Sequence, residues 1–343
     1  MNTDTHPESQ HIELVDTFSR TISYLRLSLT DRCNLHCRYC MPEDDTKGLT
    51  VLQHEDLLSY EELLRIVNIA VDMGMNKIRL TGGEPLVRKG VMDFIAHLAK
   101  IKGLEEIRLT TNGVLLAEKA EGLYQAGIRK LNISLDSMRP ERFASITGVN
   151  RFDDVWKGIE TAAKIGFDVK LNVVAMKGVN DDEFVDFALL AVDRGFQVRF
   201  IEFMPVGSDS TWDEASFISS TDLQEKIAET GTLEALPGRR MDGPARVYSL
   251  TLPDGRQGQV GFISPISHHF CDTCNRLRLT SAGRLRACLL HDREADLKSL
   301  LRSGATDSAL RDLIHQTILD KPKGHTLAED QVKCSGQMSR IGG

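Results

Sequence analysis

Tyr24-Leu25-Arg26-Leu27-Ser28-Leu29-Thr30 runs almost directly into Cys33-Asn34-Leu35-His36-Cys37-Arg38-Tyr39-Cys40. The first half alternates, with Arg26, Ser28 and Thr30 on one side and Leu25, Leu27 and Leu29 on the other. That is the period of a β-strand with one apolar face. The second half sets three cysteines at C-x₃-C-x₂-C spacing on the loop that leaves the strand. Three thiolates on a short loop can hold three irons of a cubane cluster, for which they are the preferred soft ligands, and leave the fourth iron without a protein ligand. An open iron is a place for chemistry, as an open coordination position is in catalytic zinc sites. Two other readings compete: a zinc site with His36 as fourth ligand, and a disulfide with a spare thiol. Neighbours as close as His36 and Cys37 rarely reach one metal comfortably.

Moving outward, strands alternate with helices. Strands are expected near Tyr24–Thr30, Lys77–Thr81, Glu106–Thr111, Lys130–Asp136, Val169–Val174 and Val198–Met204. Ser59 to Glu62 reads as a capping box, and Gly74, Gly127, Gly166 and Gly195 sit where helices end. Six β/α units in series imply a parallel sheet, since parallel strands need crossover connections. Six are too few for a closed eight-stranded barrel. The expected fold is α/β: an incomplete, three-quarter β/α barrel, with a flat doubly wound sheet as alternative. In each strand one face is apolar and is read as helix-covered. The other carries Arg26, Arg79, Asn132, Lys170, Asn172 and Arg199, so the interior reads as a wet cavity rimmed with cations. Buried cations need partners. Several together point to a polyphosphate, or else to pairing with Glu84, Asp136 and Glu202.

Thr81-Gly82-Gly83-Glu84-Pro85 follows the second strand, at the end where such sheets bind ligands. Thr110-Thr111-Asn112-Gly113, Ser134-Leu135-Asp136 and Glu202-Phe203-Met204-Pro205 close later strands alike. The cysteine spacing, with an aromatic before the last cysteine, resembles the signature of the radical S-adenosylmethionine (SAM) enzymes, and Gly82 to Pro85 resembles their motif for the SAM amino group.

Past about residue 210 the rhythm stops. A helix is expected over Thr221–Thr230. Arg246–Leu252 and Gln257–Ile263 flank Pro253-Asp254-Gly255 as a hairpin, and further helices are expected over Leu297–Arg302 and Ala309–Leu319. Cys271, Cys274 and Cys288 form a second trio. By itself that spacing would suit zinc, with His268, His269 or His291 completing it. Arg276 and Arg278 lie between these cysteines on one strand face, as surface charge or as a second anion clamp. The divisions expected are a flexible tail over 1–20, a partial barrel over 21–215, an α+β extension over 216–330 carrying a second iron–sulfur cluster, and a flexible tail over 331–343 ending in Gly342-Gly343.

Composition narrows the function class. The chain has 343 residues and a formal charge of −7, from 42 basic and 49 acidic residues. That gives no reason to expect nucleic acid or a membrane surface as partner. No apolar run approaches the about 18–20 residues of a membrane span, and the first 20 residues carry no apolar signal segment. The expectation is a cytoplasmic protein, where seven cysteines serve metals sooner than disulfides.

Taken together, the motifs resemble the MoaA family, the GTP 3′,8-cyclases of molybdenum-cofactor biosynthesis, from about Phe18 to the terminal glycines. The matching pieces are Leu25 to Asn34, Cys37 to Pro42, Ile78 to Leu86, Arg199 to Met204, Cys271 to Arg278, Cys288 and the Gly342-Gly343 end. The second trio, the Arg276/Arg278 pair and the double glycine make the match specific. The first 20 residues and Cys334 have no counterpart.

The resemblance implies two 4Fe–4S clusters. Cys33, Cys37 and Cys40 would hold the SAM cluster, and Tyr39, Gly83, Ser134 and Met204 would contact SAM. Cys271, Cys274 and Cys288 would hold a second cluster, whose open iron takes the guanine of GTP. Arg26, Arg79, Thr110, Lys170, Arg199, Arg276, Leu277 (by its backbone) and Arg278 would surround the nucleotide. No side chain is assigned as catalytic, because the reactive radical would come from SAM and take the ribose 3′ hydrogen. The family further implies a homodimer, a flavodoxin or ferredoxin as reductant, and handover of product to a MoaC-type cyclic pyranopterin monophosphate synthase. Readings from other classes are a radical SAM enzyme on a peptide and a non-enzymatic scaffold with two zinc sites.

Overall fold

The alternating segments become strands that pair in chain order. β1 (Tyr24–Ser28), β2 (Lys77–Thr81), β3 (Glu106–Thr111), β4 (Lys130–Ser134), β5 (Asp168–Ala175) and β6 (Gln197–Glu202) run parallel. A computed structural model describes residues 14–40, 51–207, 211–238, 243–325, 334 and 336–342. Met41, Pro42, Gly343 and most of the residue 1–20 tail expected from the sequence lie outside these.

The connecting helices are α1 (Tyr60–Asp72), α2 (Val91–Leu98), α3 (Leu116–Gln125), α4 (Pro140–Thr147), α5 (Phe152–Ile165) and α6 (Phe184–Arg194). Ser59 and Glu62 make the expected reciprocal cap at the start of α1, which satisfies two donors that a helix start otherwise leaves open. Leu27, Leu80, Leu109, Leu131 and Leu171 are fully buried in the main core. The apolar strand face is therefore the one that packs inside.

The later part of the chain extends this sheet. After α7 (Ser220–Ala228) come β7 (Thr232–Ala235), β8 (Arg246–Thr251) and β9 (Gln257–Ile263), with the expected hairpin turning at Gly255. β9 pairs parallel with β6. β10 (Arg276–Leu279) pairs parallel with β1, and β11 (Arg284–Arg286) and β12 (Ala295–Asp296) follow antiparallel. Among the described residues the result is a single sheet of 12 strands, with β12 and β7 at its edges. Sequence reasoning counts six parallel strands in series; β9 and β10 join them because hydrogen bonding along an edge strand is satisfied by any segment of matching register.

α8 (Leu297–Arg302), α9 (Asp307–Leu319) and the short α10 (Met338–Ile341) complete the chain. Two stretches expected to be flexible are packed. In the first tail Leu14 is buried, Val15 bridges to Thr21, and Arg20 pairs with Asp16 at 2.6 Å. In the last, Ser339 and Ile341 are buried. Arg20 also donates to the carbonyls of Cys271 and Pro322, and Ser281 N–H donates to Arg340 O at 3.1 Å, so both stretches have partners distant in sequence, which composition does not reveal. No helix among the described residues is long and apolar enough to cross a membrane.

Candidate active site

The first cysteine trio leaves the C-terminal end of β1 on a loop tied to the end of α4. His36 N–H donates to Thr147 O at 2.8 Å and Arg38 N–H to Ile146 O at 3.0 Å, while Leu35 is buried beneath. The three thiols stand within electrostatic reach of each other. Burial pushes Cys37 well above the usual thiol range, with Asp136, Cys40 and Cys33 adding to it, and burial and Cys33 take Cys40 to about 12. Cys33 is raised by burial as well. Thiols so arranged ionise only if positive charge arrives among them, which is what iron supplies. No described cysteine is in a disulfide, and His36, offered above as a zinc ligand, is exposed.

Gly82 and Gly83 underlie this loop. A Cβ on Gly83 would lie 2.4 Å from the Arg32 carbonyl oxygen, and one on Gly82 would lie 2.6 Å from that of Thr30. The two glycines thus let the turn lie against the cysteine loop's own backbone. Gly83 N–H donates to Thr30 O at 2.7 Å and Glu84 N–H to Arg32 O at 2.8 Å. Glu84 is buried and accepts from Leu86 N–H, Thr111 Oγ1 and Asn112 N–H; burial pushes its carboxyl up to about 7. Asn112 Nδ2 then donates to Asn34 Oδ1 at 2.7 Å. Tyr39 donates to Asp136 at 2.7 Å and meets Phe203 edge-on. The strand-end motifs are therefore bolted to the cysteine loop.

A large cavity opens over the polar strand faces. Its wall includes Arg26, Arg79, Thr110, Asn132, Asn172, Arg199, Met204, Arg276 and Arg278, together with Cys271, Cys274 and Cys288. Residues from β10 at one end of the parallel set and from the end of β9 at the other face the same space. Register explains the cation row: Arg278, Arg26, Arg79 and Arg108 are successive partners across β10, β1, β2 and β3. Glu84, Asp136 and Glu202, the carboxylates weighed as partners for these cations, accept from other donors. Glu202 takes N–H groups of Ser220, Ile266 and Ser267, and Asp136 takes Tyr39 and Val174 N–H.

The second trio has the opposite electrostatics at one position. Burial alone would raise Cys274, but Arg276 and Lys321 beside it bring the thiol down to about 6. Cys271 is raised by burial, against a backbone hydrogen bond from His325 and with Cys288 and Cys274 adding to the rise. Lys321 Nζ donates to Arg276 O at 2.9 Å, and Arg20 donates to the carbonyls of Cys271, Pro322 and Lys323. His268, His269 and His291 are exposed. Among the described residues no group of His, Cys, Asp or Glu side chains could hold a single metal ion. A cubane asks for something else, three thiolates set apart at its corners.

The other predicted residues lie off the cavity wall. Tyr39 and Gly83 stand with the first trio, and Ser134 closes β4. Lys170 pairs with Asp168 at 3.3 Å, and burial with Arg199 nearby lowers it to about 8. Leu277 is fully buried on the apolar face of β10, so its side chain does not face the cavity. Sequence reasoning did not single out Tyr24, Lys77 or Arg108 on the polar face, or Glu106, whose carboxylate pairs with Lys77, Arg108 and Lys130. Burial opposes its charge, yet Arg108 and Lys130 hold it down at about 2. Tyr24 keeps the same period of two as Arg26, and that signal could have found it. At the far end, Arg278 Nη1 donates to Gly342 O at 2.6 Å, and a Cβ on Gly342 would lie 2.1 Å from Thr81 Oγ1.

The Radical SAM superfamily pattern matches residues 27–191, and the Molybdenum Cofactor Synthesis C pattern matches residues 196–327. A protein of Thermodesulfovibrio yellowstonii called GTP 3′,8-cyclase is 49% identical, over 96% of this chain and 99% of its own length. The chain belongs to the GTP 3′,8-cyclase family. Members from Heliobacterium modesticaldum and Geobacter sulfurreducens are 48% and 42% identical, over 96% and 97% of this chain and 100% of each relative. These names support the cyclase expectation, not the peptide-modifying one. Streptococcus suis SuiB bound to its precursor peptide SuiA superposes with a TM-score of 0.61 at 15% identity, covering 92% of this chain and 74% of that one. Its likeness to this GTP 3′,8-cyclase family member is one of fold.

Proposed function

We propose that the protein is a radical SAM GTP 3′,8-cyclase, converting GTP to (8S)-3′,8-cyclo-7,8-dihydroguanosine 5′-triphosphate in the first step of molybdenum-cofactor biosynthesis. The observation that carries this is the shared cavity: cations of the polar strand faces and the second cysteine trio line one space. An elongated anion fits there with its phosphates on the arginines and its base toward the trio. Cys33, Cys37 and Cys40 would hold one 4Fe–4S cluster, and Cys271, Cys274 and Cys288 the other. When bound, the first cluster would supply the one electron that cleaves SAM to methionine and a 5′-deoxyadenosyl radical able to take the ribose 3′ hydrogen, so that C3′ could close on guanine C8, with a second electron from the reductant and a proton from solvent completing the dihydro product.

The chain's own task is positioning, because such a radical attacks any nearby C–H bond. Arg26, Arg79 and Arg199 would take the phosphates, with Thr110 on the same wall, and Lys170, off the wall but within electrostatic reach of Arg199, would add its charge. Arg276, the Leu277 backbone and Arg278 would fix the purine end. Tyr39, Gly83, Ser134 and Met204 would seat SAM at the ends of β1, β2, β4 and β6. Met204 alone of that set also lines the cavity, which suits a residue between the two ligands. The curvature needed for β9 and β10 to share a cavity favours a three-quarter barrel over residues 21–215, with 216–330 as its extension. By family analogy the chain works in the cytoplasm as a homodimer, draws electrons from a flavodoxin or ferredoxin, and passes its product to a MoaC-type synthase.

The test is anaerobic incubation of the iron-loaded protein with GTP deuterated at ribose 3′, SAM and dithionite. The cyclised nucleotide should form together with 5′-deoxyadenosine carrying the deuterium. SAM cleavage without deuterium transfer would defeat the assignment.

A further inference from the structure

Tyr24 stands on the polar face of β1, two residues before Arg26, and is 4% exposed. Its hydroxyl accepts from Arg79 Nε and is bonded by Arg26 as well. Arg79 Nη1 meanwhile reaches Thr110 Oγ1 at 3.2 Å. The Lys77 ammonium lies 4.8 Å from the ring centroid and the Arg79 guanidinium 6.0 Å from it. One phenol is thus shared by the cations of β1 and β2 at the floor of the cavity.

We propose that the Tyr24 hydroxyl is the resident partner that holds Arg26 and Arg79 in place for the phosphates of the nucleotide and yields them when the phosphates arrive. This rests on the reading of the cavity as a GTP site. Buried guanidiniums need acceptors, and a phenol provides one without closing the cavity. Phosphate oxygens are the stronger acceptors, and guanidinium matches them two bonds at a time. The exchange is therefore downhill as long as the phenol is neutral. Tyr24 is a positioning residue here: it acts on phosphate through the arginines.

The surroundings make this exchange sensitive to pH. Burial alone would keep the proton on Tyr24. Arg79 and Arg26, with Lys77 as a lesser contributor, overturn that and bring the hydroxyl down to about 7. The other charged groups facing this region are Arg276 from β10, which also interacts with Tyr24, and Glu106 from β3, which pairs with Lys77. Above neutrality a phenolate occupies the arginines and repels an incoming polyanion. Binding then requires the phenolate to take one proton from solvent. If only the neutral form admits phosphate, apparent affinity falls about tenfold between about pH 6 and 8, in proportion to the neutral fraction. The γ-phosphate's own ionisation strengthens binding as pH rises, so it opposes this fall. Lys170, lowered to about 8 by burial and Arg199, adds a separate loss at higher pH.

The experiment is calorimetric titration of GTP into the cluster-loaded protein across this pH range, in two buffers of different protonation enthalpy. The wild type should lose affinity through a midpoint near 7 and take up protons on binding. Tyr24→Phe should lose that midpoint and the matching proton uptake, keep the Lys170 step, and, measured below the midpoint, raise KM for GTP with kcat moving far less. Replacing all tyrosines by 3-fluorotyrosine, isosteric but more acidic, should move the midpoint downward. That measurement carries the test if Tyr24→Phe takes up too little iron. A wild-type profile in Tyr24→Phe, or an unmoved midpoint with fluorotyrosine, overturns the inference alone. Failure of the wild type to bind GTP at any pH removes the cyclase reading and this inference with it.

Discussion

Gly83 shows how narrowly one position is fixed. The atoms that an added methyl group would meet are the backbone of Arg32 in the cysteine loop and the carbonyl oxygen of Asp31 at 2.8 Å. Backbone cannot swing aside as a side chain can. Gly83→Ala must push the loop away or open the bonds from Gly83 and Glu84 to Thr30 and Arg32, at roughly 1–3 kcal/mol. The expected outcome is loss of iron from the first trio only, read as about half the iron per chain and no SAM cleavage, with the fold intact by circular dichroism. Full iron content in Gly83→Ala would show that the loop tolerates displacement.

At the scale of elements, β10 presents two faces with separate duties. Arg276 and Arg278 face the cavity, and Leu277 and Leu279 are buried in the core. The assignment of Leu277 to the nucleotide by its backbone alone makes a sharp prediction. Leu277→Met, close in volume, should leave KM for GTP unchanged and cost less than about 1.5 kcal/mol. Leu277→Ala should destabilise by about 2–5 kcal/mol in urea unfolding. A large KM change in Leu277→Met would mean that the side chain touches the ligand. The same strand marks what could be read from sequence. Alternation along β1 to β6 is a local signal, and it showed both the parallel core and the cation-bearing face. β10's place beside β1 depends on residues about 250 positions apart, and no period carries that. Glu106 was illegible for a related reason: at the start of β3 it looks like any strand-end carboxylate beside Arg108, and only the neighbouring strands bring Lys77 and Lys130 to it as well. The glycine pair was legible as a tight approach, but what it approaches, the chain's own loop, required the fold.

For the molecule as a whole, the second trio is braced by a residue from the early part of the chain. Arg20 ties Cys271 to the segment of Pro322 and Lys323 and is itself held by Asp16. Breaking a buried pair of the Arg20 kind costs about 3–5 kcal/mol. Arg20→Ala is therefore expected to empty the second trio while the first still cleaves SAM, seen as loss of about half the iron with 5′-deoxyadenosine formation retained and cyclised product absent. Equal loss from both trios would contradict a local brace.

The parallel pairing of β1 with β10 also has a consequence for biosynthesis. β1 is among the first strands to leave the ribosome, and its partner on one side is made only after most of the chain has emerged. Until then the nascent polypeptide carries a bare hydrogen-bonding edge beside its thiols, open to pairing with other chains. The second trio gains its surroundings only once Cys288 and the bracing segment of Pro322 and Lys323 have been made, so supply of clusters at that position comes late in synthesis.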